Sequence, residues 1–148
     1  MIHKNTDGFA ERNFRPHGRI EMWTEGAVVH LISEGPFNRE AVIALGKLAN
    51  EIYASIAPGT RFVNINQIRT SLMGTPEALE MLENHLKSLS AAPVHPLLHV
   101  WVVGAEVEGH HLMLPVIQAV FARANRPMMV FDNLQAAESA AREALDRD

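Results

Sequence analysis

Cysteine is absent from the 148 residues of this chain, so the sequence offers no disulfide, no thiolate nucleophile and no cysteine-ligated metal site. Such an absence fits a reducing compartment, and the expected location is the cytoplasm. The first residues contain no apolar segment of the kind that a secretory signal requires. Every apolar run falls well short of the roughly 18 residues that span a bilayer, so no membrane insertion is expected.

A cluster of positive charge is also missing. The chain carries 13 lysine and arginine residues against 17 acidic residues, for a net charge of -4, and its cations are scattered. Binding to nucleic acid or to an anionic membrane is therefore not expected. The composition, with 47% hydrophobic and 20% charged residues, is typical of a globular protein. The sequence predicts a polar N-terminal arm over residues 1–18 and a single domain over residues 19–148.

Hydrophobic periodicity predicts the fold class. Residues 19–24 and 27–33 alternate apolar and polar side chains around a turn at Gly26, which predicts an N-terminal β-hairpin. Helices with one apolar stripe then alternate with short apolar strands, and Asn38 and Thr75 stand where helix N-caps are needed. The predicted fold is α/β, with a five-stranded mixed β-sheet and four helices.

The strand at residues 61–66 and the loop at 67–74 form the best candidate for a site. Carboxyl ends of strands and the helix starts that follow them are the usual binding places in open α/β sheets. The loop is longer than the roughly 2 to 6 residues that connect most such elements, and two asparagines on one strand face need a reason because asparagine is a poor strand former. The predicted partner-binding or regulatory residues are Asn64, Asn66, Arg69, Thr70, Ser71 and Thr75.

No catalytic motif accompanies this loop. The sequence contains neither the HExxH spacing of a zinc protease nor the Gly-x-Ser-x-Gly turn of a serine hydrolase. Imidazole and carboxylate groups together suit zinc or iron, whereas histidines in solvated loops are the alternative interpretation, so no cofactor is expected. The residues that raise the metal hypothesis are His95, His99, Glu106, Glu108, His110 and His111.

Three short stretches resemble the STAS-like fold of anti-sigma-factor antagonists and their SpoIIAA-like relatives. They are residues 34–38, 62–68 and 130–137, and the resemblance extends over about residues 19–145. It implies a βα superhelix. Antagonists of that family carry a phosphorylated serine, preceded by aspartate, at the helix start that follows the central strand. This chain has Thr70, Ser71 and Thr75 in that region without an Asp-Ser pair, and Asn64 stands in place of the strand aspartate.

The resemblance implies a noncatalytic binding or regulatory module that acts through protein–protein contacts. A carrier of a small apolar, lipid-like ligand is the alternative, because several methionines could line a soft pocket instead of filling the core. A metal-dependent enzyme is a more distant alternative. The first hairpin presents an edge strand, and such edges must be covered, charged or paired, so a homodimer is a further expectation. The methionines are Met73, Met81, Met113, Met128 and Met129.

Overall fold

A computed structural model describes residues 2–9 and 18–147 of the chain. It confirms an α/β fold with a mixed sheet and four α-helices. The elements are, in chain order, β1 (His3–Asn5), a 3₁₀ turn (Thr6–Phe9), β2 (Arg19–Glu25), β3 (Val28–Glu34), α1 (Arg39–Ala54), β4 (Val63–Arg69), α2 (Pro76–Ala91), β5 (His99–Val103), α3 (His110–Arg123), β6 (Met128–Phe131) and α4 (Leu134–Asp146).

The sheet has six strands, so the prediction of five was wrong. The strands lie side by side in chain order, with β1, β2 and β3 antiparallel and β3 to β6 parallel. The predicted hairpin is confirmed, and Gly26 turns it with a positive φ of 59°. Since each parallel connection contains a helix, the carboxyl ends of β3, β4 and β5 meet at one edge of the sheet.

The additional strand comes from the predicted arm. His3 pairs with Trp23 and Asn5 with Glu21, so β1 covers the edge of the hairpin that the sequence left open. The Thr6 hydroxyl, which is buried, accepts a hydrogen bond of 3.0 Å from the Ile20 amide. Residues 10–17 of the arm lie outside the described residues. The homodimer stays a prediction, but β2 is not the free edge on which it was based.

The helices cover the sheet unequally. Helices α1, α2 and α3 pack in one layer on the face that carries Met22, Leu31 and Trp101, and this layer encloses the larger core. Helix α4 covers the opposite face through a smaller cluster around Ile65 and Val100. The larger core therefore lies directly behind the loops that connect β3, β4 and β5 to α1, α2 and α3.

The helix starts follow local signals. Asn38 and Thr75 accept hydrogen bonds of 2.9 and 3.1 Å from amides three residues ahead, as N-caps do. Gly109 caps α3 with a positive φ of 80° and without a side-chain bond. Pro115 lies inside α3, beyond its first turn. In the described part of the chain, no helix is both long and apolar enough to cross a membrane.

Candidate functional site

The loops after β3 and β4 are hydrogen-bonded to each other. The Phe37 amide donates to the Met73 carbonyl at 2.8 Å, and the Thr75 amide donates to the Phe37 carbonyl at 3.2 Å. These bonds continue the parallel pairing of the sheet past the last residues of both strands, with Phe37 opposite Gly74. They fix the two capped helix starts side by side.

The loop after β5 joins the same network. The Leu72 amide donates to the Glu108 carbonyl at 2.8 Å, and the Glu108 amide donates to the Thr70 carbonyl at 3.1 Å. Thr70 adopts a positive φ of 67°, a conformation that a β-branched residue rarely occupies, and its carbonyl lies within this pairing. Residues 35–38, 70–75 and 104–109 thus form one continuous layer, called here the loop surface.

The six predicted site residues divide between the exterior of the protein and its interior. Arg69, Thr70 and Thr75 are exposed, with Thr75 engaged as the N-cap of α2. Ser71 is buried, as are Asn64 and Asn66 in β4. Strand β4 continues to Arg69, three residues beyond its predicted end, and so the loop is shorter than the sequence suggested. The structure therefore brings three of these residues to a surface and three into contact with the core.

Ser71 has a well-defined structural environment. Its hydroxyl donates to a Glu108 carboxylate oxygen at 2.6 Å and accepts from the Met73 amide at 3.1 Å. With 2% of its surface exposed, the side chain is closed off from solvent by the loops that it joins. A phosphate on this hydroxyl would face the Glu108 carboxylate, and like charges so close repel each other.

Apolar side chains interrupt the loop surface. A surface cleft of about 290 Å³ is lined by residues 36–38 and 73–75, and Phe37 and Met73 lie half-buried in it. The Met73 thioether also lies against Gly109, where a Cβ atom would come within 2.7 Å of its sulfur. Three residues after Gly109, the Leu112 side chain on α3 is 66% exposed. Phe37, Met73 and Leu112 are therefore apolar side chains that remain partly or largely accessible around these loops.

Behind the loop surface, the polar residues of β4 have partners in the core. Asn66 Oδ1 accepts from the Ser33 hydroxyl at 2.7 Å, and Asn64 Nδ2 donates to the Tyr53 hydroxyl oxygen at 2.6 Å. Burial raises the pKa of Tyr53 to about 12, so its hydroxyl stays protonated. Asn64 Oδ1 is buried without a hydrogen-bond partner, an arrangement that costs about 1 to 3 kcal/mol when nothing compensates it.

Two histidines line the same part of the core. Burial lowers the pKa of His85 on α2 to about 4, and burial also lowers the pKa of His99 on β5 well below its usual range. The positive charge of Arg126 acts in the same direction on His99, since the guanidinium Nε donates to His99 Nε2 at 3.1 Å. Both imidazoles are therefore neutral at neutral pH. The residues that line this region include several polar side chains but no carboxylate.

Two adjoining cavities occupy the space between this polar group and the loop surface. One, of about 40 Å³, is lined by Tyr53, Asn64, His85 and His99 among others. The second, of about 60 Å³, has mostly apolar walls and lies beneath Phe37. Both volumes are smaller than the apolar cavity of about 150 Å³ that binds benzene. The cavities share as lining residues Leu45, Asn66, Leu82 and Trp101.

The histidines and glutamates that raise the metal hypothesis do not converge on one point, and the histidines contact different groups. His95 Nδ1 lies 2.7 Å from the Ala92 carbonyl oxygen at the end of α2, whereas His99 meets Arg126. His110 and His111 pack edge to face, with ring centroids 4.7 Å apart. Over residues 2–9 and 18–147, no three histidine or acidic side chains come together in a way that could hold a metal ion.

A larger cleft, of about 400 Å³, lies at the opposite edge of the sheet. It exposes Leu97 and Met129 between the charged side chains Arg61, Glu143 and Arg147. The Arg61 guanidinium donates to the Ala144 carbonyl at 3.2 Å and so ties this edge to α4. This is the amino end of the parallel strands, where ligands of open α/β sheets rarely bind. The loop surface remains the better candidate.

Sequence reasoning missed several polar side chains that lie in or beside the core around Asn64, Asn66 and His99. They are Ser33, Tyr53, His85 and Arg126. One signal was available for two of them. Tyr53 and His85 interrupt or adjoin apolar stripes at helical spacing, and a polar group in such a stripe needs a buried partner. Ser33 gives no such signal, because its partner Asn66 is 33 residues away and is brought near only by strand pairing.

Comparison of the chain with protein-family models, with curated proteins and with solved structures finds no match.

Proposed function

We propose that this chain is a noncatalytic, STAS-like binding or regulatory module that acts through protein–protein contacts at its loop surface. One observation carries the proposal. The loops after β3, β4 and β5 are hydrogen-bonded into one layer that leaves apolar groups accessible, and Arg69 is exposed where β4 ends. A soluble partner that buries those apolar groups gains free energy roughly in proportion to the area covered.

The surface suggests what a partner segment would contain. Phe37 and Met73 offer a shallow apolar cleft, and Leu112 offers an exposed apolar side chain on the adjacent helix. Arg69, exposed at the end of β4, can pair with a carboxylate at the margin of the contact. A partner segment with apolar side chains and at least one acidic residue fits this pattern.

Site-specific photocrosslinking tests the proposal. A photoreactive amino acid is placed at Arg69 or Leu112 in the full chain, and as a matched control at Arg142, which is exposed on α4 behind the other face of the sheet. The crosslinked protein is identified and purified, and its affinity is measured by calorimetry. We expect Leu112→Glu and Arg69→Ala each to weaken binding by about tenfold or more, the loss typical of an interface residue that matters.

Thermal denaturation separates binding from folding in this experiment. Arg142→Ala should leave both affinity and melting temperature unchanged, whereas Leu112→Glu should change only affinity. A partner that crosslinks from Arg142 and binds the Leu112→Glu and Arg69→Ala variants as tightly as the native chain would contradict the proposal. In that case the contact lies on the α4 side, where the cleft at Leu97 and Met129 is the next surface to examine.

A further inference from the structure

Strand β6 is the outer strand of the sheet, at the side opposite to β1. Among the described residues, β5 is the only strand that pairs with it. Edge strands usually carry charged side chains or are covered, because their free amides and carbonyls can pair with another chain. Strand β1 carries His3 and Lys4, whereas β6, with the sequence Met-Met-Val-Phe, carries no charge. Strand β6 is therefore the edge that is open to pairing.

The pairing of β6 with β5 determines which of its backbone groups face outward. The His99 amide donates to the Pro127 carbonyl at 3.0 Å, and His99 lies opposite Met128. In a parallel ladder, this pattern directs the amide and the carbonyl of Met129 toward β5. The amides and carbonyls of Met128 and Val130 therefore point away from β5, in the direction from which a further strand would bond to them.

The side chains at this edge are incompletely buried. Met129 is 43% exposed, and it lines the cleft of about 400 Å³ beside α4 together with Leu97, which is 38% exposed. Two of the four large hydrophobic side chains that are exposed in the described part of the chain thus lie here. Met128 and Val130 are half-buried against the larger core. A partner at this edge would therefore remove apolar area from water as well as pair with the backbone.

We propose that β6 pairs antiparallel with β6 of a second copy of this chain, around a two-fold axis that passes between the two Met129 residues. This register sets Met128 opposite Val130 of the second copy, so the outward amides and carbonyls of both residues form four hydrogen bonds. Met129 then faces Met129 at the closely spaced, non-hydrogen-bonded position of the ladder. A two-fold strand pair always brings its central residue against itself, and like charges placed directly opposite are destabilising. An uncharged strand is therefore what a second copy requires.

The charges on either side of β6 favour an antiparallel second copy as the partner. Arg126 precedes the strand, and its buried guanidinium contacts His99 Nε2 and the Pro96 carbonyl but no carboxylate among the described residues. Asp132 follows the strand and is exposed. An antiparallel pair brings the positive end of one strand to the negative end of the other, whereas a parallel pair would bring like charges together.

This contact is separate from the loop surface. Strand β6 lies two strands away from β4, and residues 128–131 are not part of the loops that form that surface. A dimer at β6 would therefore leave the loop surface of each copy accessible to a protein partner. Because the paired segment is short, we expect a weak dimer that dissociates on dilution.

Opposite charges placed at the two-fold axis test the proposal. The mass of the full chain is followed by analytical ultracentrifugation from about 1 μM to about 1 mM protein. Met129→Lys and Met129→Glu each set like charges against each other and should weaken the dimer by about tenfold or more. An equimolar mixture of the two variants should dimerise at least as tightly as the native chain, because lysine then faces glutamate. As a matched control, Gln135→Lys adds the same charge at an exposed position of α4 that does not line the cleft, and should change nothing.

Amide hydrogen exchange of the native chain gives a second measurement that does not depend on how the variants fold. Protection of the Met128 and Val130 amides should rise with protein concentration, whereas the Met129 amide, which bonds to β5, should be protected throughout. A chain that stays monomeric up to about 1 mM would overturn the proposal, as would a dimer that forms without added protection of these two amides. A mixture of folded Met129→Lys and Met129→Glu that dimerises no better than either variant alone would overturn it too.

Discussion

Replacing Ser71 by glutamate should destabilise the protein strongly. The change removes a hydrogen bond of 2.6 Å to the Glu108 carboxylate, and a bond to a charged group contributes about 1.5 to 3 kcal/mol. It also places a second carboxylate near Glu108. At a separation of about 4 Å, that repulsion amounts to about 1 kcal/mol in water and about 4 kcal/mol at an effective dielectric constant near 20. Together, the two effects predict a loss of about 2.5 to 7 kcal/mol in the free energy of unfolding.

Urea denaturation of four proteins separates these contributions. Against the native chain, Ser71→Ala should lose only the hydrogen bond, about 1.5 to 3 kcal/mol, and Ser71→Glu should lose more. Adding Glu108→Gln to Ser71→Glu should recover the repulsive part, because only one carboxylate then remains. If Ser71→Glu unfolds at the same urea concentration as the native chain, Ser71 is accessible to solvent and its assigned environment is wrong.

Three other predictions test separate parts of the structure. Leu112→Gln should change the free energy of unfolding by less than about 0.5 kcal/mol, because Leu112 is exposed. Leu48 is fully buried, so Leu48→Ala should cost about 2 to 5 kcal/mol in the same urea assay. Thr70→Gly should stabilise the protein by up to about 1 kcal/mol, because glycine adopts a φ of 67° without strain; a loss of stability would mean that the Thr70 side chain makes contacts that outweigh its backbone. Because His85 is neutral in the folded protein, with a pKa of about 4, unfolding takes up a proton between pH 6.5 and 4. The contribution of His85 to the free energy of unfolding should be fully present above pH 6.5 and should fall by up to about 3 kcal/mol as the pH is lowered toward 4. The slope of melting temperature against pH should therefore be smaller in His85→Gln.

Local signals were sufficient for most of the elements. The Gly26 turn and the Asn38 and Thr75 caps depend on a few neighbouring residues, so the sequence alone places the hairpin, α1 and α2 correctly. Strand β1 depends instead on pairing with β2 some 20 residues away, and three residues carry too little periodicity to reveal it. Strand β1, which is short and fixed only by this long-range pairing, is therefore the strand that the sequence left out.

The candidate site was predicted in position but not in detail. The carboxyl end of β4 and the start of α2 are where the sequence located it, yet β4 extends through residues with poor strand propensity. Asn64 and Asn66 tolerate the strand because Tyr53 and Ser33 satisfy part of their amides, and those partners are set by tertiary packing. The burial of Ser71 escaped prediction for the same reason, since its partner Glu108 belongs to the next connection.

The hydrogen bonds that join the three loops also bear on the kinetics and thermodynamics of any encounter at this edge of the molecule. A binding region that is already ordered loses little conformational entropy when a second molecule docks, so more of the contact energy becomes affinity. Association then needs no folding step, and differences between related complexes are expected mainly in dissociation rates. Residues of different loops, such as Thr70 and Glu108, should show non-additive effects in double-mutant cycles, because a change in one connection alters the geometry of its neighbour.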